Sequence, residues 1–195
     1  MLHDPWLTRW LPMLKESAGS RPVFEIGCGI GADTSTLFNA GLEVVAFDIS
    51  SASVATTRLR VPRARIFCQD ARDPFPLPDG QAGAVVASLS LHYFTWSETL
   101  DLVHRIQQTL SRGGLFLCRL NSTEDKNFGA AGHPEIEPNY YLVDGQPKRF
   151  FDENSVAELF ASGWKVLSKE HQTTNKYIRS KALWEVIAQR DAYPT

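Results

Sequence analysis

The chain is predicted to fold as an α/β protein with a mostly parallel seven-stranded sheet and helices on both faces. Three observations predict it. Short apolar runs alternate with helical stretches over the first 120 residues, and parallel strands need such crossovers. The first of these runs, Val23-Phe24-Glu25-Ile26, passes through the turn Gly27-Cys28-Gly29-Ile30-Gly31 straight into a helix. Two further β-like runs near the end of the chain, 164–168 and 183–188, supply a closing hairpin.

Asp4 followed by Pro5 suits the start of a helix, with Trp6, Trp10 and Leu14 four apart on one face and Pro12 marking a kink or an end. After the first strand and glycine turn, the helical stretch runs to Gly41. Glu43 to Phe47, with Asp48 at its tip, is a second strand, followed by a Ser-capped helix through about Arg60. Arg65-Ile66-Phe67-Cys68 is a third strand ending at Gln69-Asp70, and the Pro-rich DPFPLPDG after it is loop. AVVAS, within 81–88, reads as a buried fourth strand. Thr95-Trp96-Ser97-Glu98 forms a capping box, ahead of a buried stripe of Leu100, Val103, Ile106 and Leu110 that Gly113-Gly114 terminates. Residues 115–120 are a fifth strand and 155–161 a helix ending near Gly163.

Between 121 and 150 lies a polar, aromatic-containing segment without periodicity, and structureless loops of this length often act as lids. The expected organisation is one domain over 1–195. It comprises an N-terminal helix (1–20), a ligand-binding core (21–121), a candidate lid (122–150) and a C-terminal helix with strands (151–195). At 195 residues, against about 150 for a typical domain, one domain with an appended element is expected.

Composition narrows the function classes. With 43% hydrophobic and 22% charged residues the chain can bury a core and is not a disordered polyelectrolyte. Net charge is −2, with no block of like charges, which argues against non-specific nucleic-acid binding. Cys28, Cys68 and Cys118 have neither CxxC nor Cys/His spacing, so neither a disulfide framework nor a metal site is expected. No apolar run approaches the length of a membrane span and no secretory leader is recognisable, so a cytoplasmic protein is expected.

The glycine turn suits a ligand that approaches bare backbone at a strand-to-helix junction. Gly27-x-Gly29-x-x-Ala32 also satisfies the dinucleotide fingerprint, and Asp48 follows Gly31 by 17 residues, near the roughly 20 expected for a ribose-binding acid. The flanking acids point elsewhere. Glu25 just before the turn, and Asp33 in the first turn of the helix, favour a cationic ligand and discourage a pyrophosphate. An NAD-dependent oxidoreductase and a non-catalytic binding module remain the rival readings.

ExGCGxG followed by Asp33 resembles the first motif of the class I S-adenosylmethionine-dependent methyltransferases, which have a Rossmann-like fold. Further motifs of that family are matched in order: Asp48 after the second strand, Asp70-Ala71 after the third, Leu89-Ser90-Leu91-His92-Tyr93 after the fourth, and Leu110-Ser111-Arg112-Gly113-Gly114-Leu115. Arg112 stands where the family's turn usually has Pro. The resemblance implies S-adenosylmethionine as cofactor, with Glu25, Gly27, Cys28, Gly29 and Gly31 around the methionine portion. It places Asp48 and Ile49 at the ribose, Asp70 and Ala71 at the adenine, and Ser88 at the end of the fourth strand. The segments RFFDENSVAELF and KALWEVIAQR are similar to compact bacterial methyltransferases of the tellurite-resistance type.

The Ser88-Leu89-Ser90-Leu91 stretch lacks the Asn/Asp-Pro-Pro-aromatic pattern of base-amino methyltransferases, so the resemblance implies a small-molecule acceptor. Alignment of acceptor and methyl group is the main catalytic demand, and no triad is needed. His92 and Tyr93 are the catalytic candidates, although packing is the stronger reading for His92. Tyr140, Tyr141, Lys148 and Arg149 are candidates to cage an anionic or aromatic acceptor. Trp6 and Trp10 suit the core better than a cover over a ligand, and Cys28 suits the turn better than a nucleophilic role.

Overall fold

The computed structural model describes residues 5–175 and 179–192. A seven-stranded sheet runs in the order β3-β2-β1-β4-β5-β10-β9. Its strands are β1 (Val23–Ile26), β2 (Val44–Asp48), β3 (Arg65–Cys68), β4 (Ala82–Ser88), β5 (Leu110–Asn121), β9 (Trp164–Thr174) and β10 (Lys181–Arg190). The first five are parallel, whereas β10 pairs antiparallel with both β5 and β9. The order reverses between β1 and β4, which opens a crevice at their carboxyl ends.

Alternation along the strands builds two cores. Phe24, Ile26, Val85 and Phe116 face α4 (Trp96–Thr109) and α5 (Glu153–Leu159). Val23, Ala84, Val86 and Leu117 face α1 (Leu11–Ala18), α2 (Ala32–Asn39) and α3 (Ser51–Arg60). Burial on both sheet faces explains why the central strands read as continuous apolar runs. Ser50 caps α3, and Thr95 with Glu98 forms the capping box of α4, both as expected.

Several expectations are corrected. Asp4 lies outside the described residues, and the first α-helix begins at Leu11 after a 3₁₀ turn (Thr8–Trp10). Pro12 therefore lies in the first turn of α1, where its missing N–H costs nothing, and begins the helix rather than ending it. In α4 the buried face runs through Thr99, Leu102, Val103 and Ile106, leaving Leu100 at its margin and exposed. Gly113-Gly114 does not end α4. The chain turns extended at Leu110, and the glycine pair lies inside β5 at an irregularity in its pairing with β4. β9 and β10 run well beyond the apolar residues that predicted them, because the far half of β9 is an edge held by backbone pairing and largely open to solvent.

The 121–150 segment is not structureless. It contains a three-stranded antiparallel sheet of β6 (Glu135–Glu137), β7 (Tyr140–Val143) and β8 (Gln146–Arg149). Asp144 and Gly145, both at positive φ, form the two-residue turn between β7 and β8. This sheet is fastened to the 3₁₀ turn after β4 (Leu91–Tyr93) and to the start of α4. Tyr140 donates its hydroxyl hydrogen to the Tyr93 carbonyl, Arg149 Nε donates to the Phe94 carbonyl, and Glu137 accepts from the Trp96 amide.

Candidate functional site

A cavity of about 690 Å³ occupies the crevice at the carboxyl ends of β1, β2 and β4. Gly27 and Gly29 form one wall, and Asp48 and Ile49 follow at the tip of β2. Asp70 and Ala71 close the side beyond β3, while Ser88, Leu89 and Ser90 supply the wall after β4. Tyr93, Phe94, Gln146 and Pro147 add to the lining, as do Gln69 and Arg72 beyond β3, so the small sheet forms part of the roof.

The glycine turn takes left-handed backbone and, at Gly27, closes on the Ser90 side chain. Gly27 has φ of 74°, and a Cβ there would meet the Ser90 Cβ at 2.5 Å. Gly29 has φ of 51° and open space on its Cβ side. Asp48 holds this turn, with Oδ2 accepting from the Gly29 amide at 2.8 Å and Oδ1 accepting from the Ser50 amide at 2.9 Å. Asp70 Oδ1 accepts from the Arg72 amide at 2.9 Å, and Arg72 also bonds Glu98.

Glu25 lies beneath the turn and does not line the cavity. Its Oε2 accepts from Thr34 Oγ1 at 2.6 Å, while burial, then the nearby Asp33 carboxylate, pushes its pKa up to about 8. Cys28 and Gly31 also lie behind the cavity wall. Burial, together with the Glu25 and Asp48 carboxylates, pushes the Cys28 thiol up to about 12, which leaves it without nucleophilic character. Trp6 is core, as expected, and its indole N–H donates to both Asp33 oxygens at 3.1 Å.

Tyr93 reaches the cavity, where burial and the Asp48 carboxylate raise its phenol above the ordinary value. His92 packs against it, ring centroids 4.0 Å apart, but is itself buried and does not line the cavity. Burial, aided by Lys181 and Lys148, lowers the His92 pKa to about 3, so its ring is neutral at physiological pH.

Tyr140, Tyr141 and Arg149 are not brought to the cavity wall. Tyr140 is buried and bonded to Tyr93, and the Tyr141 ring lies tilted against Phe150, centroids 6.1 Å apart. Arg149 is buried and ion-paired to Glu137. Gln146 and Pro147, which do line the cavity, carried no sequence signal, because only the hairpin register puts them there. No group of His, Cys, Asp and Glu fit to hold a metal occurs among the described residues.

Fold and cavity together define a class of protein, the Rossmann-like α/β proteins that bind a nucleotide-type ligand at a glycine turn and an acid on the next strand. Residues 23–114 match a family model described as "Methyltransferase domain". The chain is 32% identical over 106 residues to trans-aconitate 2-methyltransferase of Delftia acidovorans, covering 53% of this chain and 39% of that protein. It is 28% identical over 94 residues to an uncharacterized methyltransferase of Synechocystis, covering 48% of this chain and 44% of that one. The chain thus spans less than half the length of these two relatives. A solved S-adenosylmethionine-dependent methyltransferase from Methanosarcina mazei shares the fold, with a TM-score of 0.78 at 14% identity over 89% of this chain and 93% of that chain. Residues 23–114 are thus similar to a methyltransferase domain, and the chain shares the fold of that solved methyltransferase.

Proposed function

We propose that this protein transfers a methyl group from S-adenosylmethionine to a small-molecule acceptor in the cytoplasm. The observation that carries the reading is the continuity of one cavity from Gly27 and Gly29, past Asp48 and Ile49, to Asp70 and Ala71. That sequence of surfaces suits an elongated ligand with an amino-acid end, a diol and a flat base. The residues fit the cofactor: Gly29 leaves open space beside its backbone, and each Asp48 oxygen retains lone pairs for a ribose hydroxyl beyond its amide bond.

In this reading Gly27, Gly29 and Gly31 shape the turn around the methionine portion, with Cys28 packed behind. Asp33 and Asp48 keep that end negative, which favours a cationic ligand, while the buried Glu25 beneath the turn holds its proton up to a pKa of about 8. Asp48 and Ile49 take the ribose, Asp70 and Ala71 the adenine, and Ser88 stands at the end of β4 beside the reacting centre. S-adenosylmethionine supplies an electrophilic methyl on a sulfonium. The chain's task is then to orient the acceptor and exclude water, for which Tyr93 and Phe94 close the cavity's far side. A neutral, buried His92 positions Tyr93 by packing rather than by moving a proton. The likeness to the tellurite-resistance type rests on the two C-terminal segments alone.

Calorimetric titration with S-adenosylhomocysteine, run beside NADH, tests this reading. Micromolar binding of S-adenosylhomocysteine alone is expected, whereas preference for NADH would overturn it.

A further inference from the structure

A separate cleft, of about 670 Å³, lies at the opposite end of the sheet from the glycine turn. Arg21 ahead of β1, Asp79 and Gly80 ahead of β4, Ser111 and Arg112 at the start of β5, and Arg190 at the end of the antiparallel β10 all line it, so it sits at the amino ends of the parallel strands. Three arginines thus gather around one carboxylate in a chain whose net charge is −2. None of the three is ion-paired among the described residues.

Backbone carbonyls place the guanidiniums instead. Arg190 Nη1 donates to the Gln108 carbonyl at 3.1 Å and to the Leu110 carbonyl, covering the last turn of α4, which would otherwise present the negative end of the helix to the cleft. Arg112 Nη1 donates to the Ala192 carbonyl at 2.8 Å. The two bonds are reciprocal, since each arginine binds the chain segment that carries the other. Both arginines use Nη1 alone, which leaves the Nε–Nη2 edge of each without a bond among the described residues. Such an edge offers two parallel N–H groups that match two oxygens of a phosphate.

The surrounding backbone is fixed as well. The Gly80 amide donates to the Gln108 carbonyl at 2.9 Å, and the Gly83 amide donates to the Pro22 carbonyl at 3.0 Å, beside Arg21. Arg21 is exposed, and neither its side chain nor the Ser111 hydroxyl has a hydrogen bond among the described residues. Capping α4 needs only Arg190, so helix capping leaves Arg21 and Arg112 unexplained. Like charges gathered in a concave place repel one another and raise the local concentration of anions.

We propose that this cleft is a binding site for a phosphate dianion, remote from the methyl-transfer cavity, with Arg112 and Arg190 each holding phosphate oxygens through the open edge and Arg21 adding the third charge. Three arginines less Asp79 leave an excess of two positive charges, which matches a dianion. A carboxylate, with two oxygens and one charge, would occupy a single fork.

The test uses the full isotope-labelled chain, titrated at constant ionic strength with inorganic phosphate, phenyl phosphate or benzoate and followed by the backbone amide resonances of Gly80 and 111–114. Saturable shifts there are expected with both phosphates and not with benzoate, and constant ionic strength removes general screening as their cause. Tighter binding of phenyl phosphate would identify an organic phosphate as the ligand, and tighter binding of inorganic phosphate the free ion. Arg112→Gln should weaken the tighter phosphate about tenfold or more, with Arg112→Lys recovering only part because an ammonium lacks the fork. Arg21→Gln breaks no bond among the described residues and should still weaken it, so the test holds even if Arg112→Gln perturbs its turn. Absence of saturable shifts at these amides, shifts confined to the glycine-turn cavity, benzoate binding as tightly as phenyl phosphate, or an affinity unchanged in either glutamine variant would overturn the proposal.

Discussion

The amide of Gly29 donates to Asp48 Oδ2 over 2.8 Å, so the acid at the tip of β2 also sets the shape of the turn after β1. The other Asp48 oxygen takes the Ser50 amide ahead of α3. One carboxylate thus joins two strand ends and faces the cavity, which ties the geometry of the glycine wall to the wall beside it.

Asp48→Ala should accordingly weaken S-adenosylhomocysteine by more than a lost ribose contact, about 30-fold or more, or about 2 kcal/mol. Asp48→Asn, which keeps an acceptor oxygen, should lose less. Calorimetry of both variants, with circular dichroism to confirm the fold, checks this ordering.

Gly27→Ala should be damaging on two counts, a positive φ that costs about 1–2 kcal/mol and a Cβ 2.5 Å from that of Ser90. A melting temperature lower by several degrees is expected, together with loss of cofactor binding. Adding Ser90→Gly should recover part of the stability, since it removes the clash and leaves the backbone strain. A Gly27→Ala protein as stable as wild type would contradict the close approach.

His92 gives the stability an acid limb. Its pKa falls from 6.5 to about 3 on folding, so the unfolded chain takes up the proton first and the folded state loses stability as pH drops from about 6.5 toward 3. His92→Gln should flatten that part of a melting-temperature profile. It should change activity much less than Tyr93→Ala, because Tyr93 alone of the pair reaches the cavity.

Glu25 has the opposite sign. With its pKa raised from 4.5 to about 8, the native state holds a proton that the unfolded chain releases, so stability falls as pH rises across that interval. Glu25→Gln is expected to raise the melting temperature at pH 8 and above while weakening S-adenosylhomocysteine. An unchanged dissociation constant would separate the carboxyl from the ligand's amino-acid end.

The small sheet is fastened at Arg149. Glu137→Gln leaves a buried guanidinium without its carboxylate, a loss of about 3 kcal/mol for pairs of this kind. Protease cleavage within 122–150 should accelerate strongly in that variant, with the parallel sheet still folded. In wild-type protein the segment should resist cleavage even without ligands, which would not hold for a free lid.

Much of the fold was legible because local signals and burial agree. β1, β2 and β4 appear as apolar runs since both faces of the central parallel sheet are covered, and the caps at Ser50 and Thr95 are chemical necessities of helix ends. The order of Gly27, Asp48 and Asp70 along the chain could be read as one ligand path, because each follows a strand and strand ends meet at the crevice. The 121–150 segment was not legible, as strands of three or four residues have too few positions to show a period. The Asp144-Gly145 turn was its one clear mark.

The sequence by itself therefore determined the α/β class, the succession of the parallel strands and the acids that follow them, since these depend on periodicity, capping and residue type. Only the tertiary structure decided which side chains are free to act. Arg149 and Lys148 are alike in sequence terms, yet Glu137 holds the one, while the side chain of the other has no hydrogen bond or ion pair among the described residues. Pairing between residues remote in the chain consumes or leaves open a charge, and no local pattern encodes it.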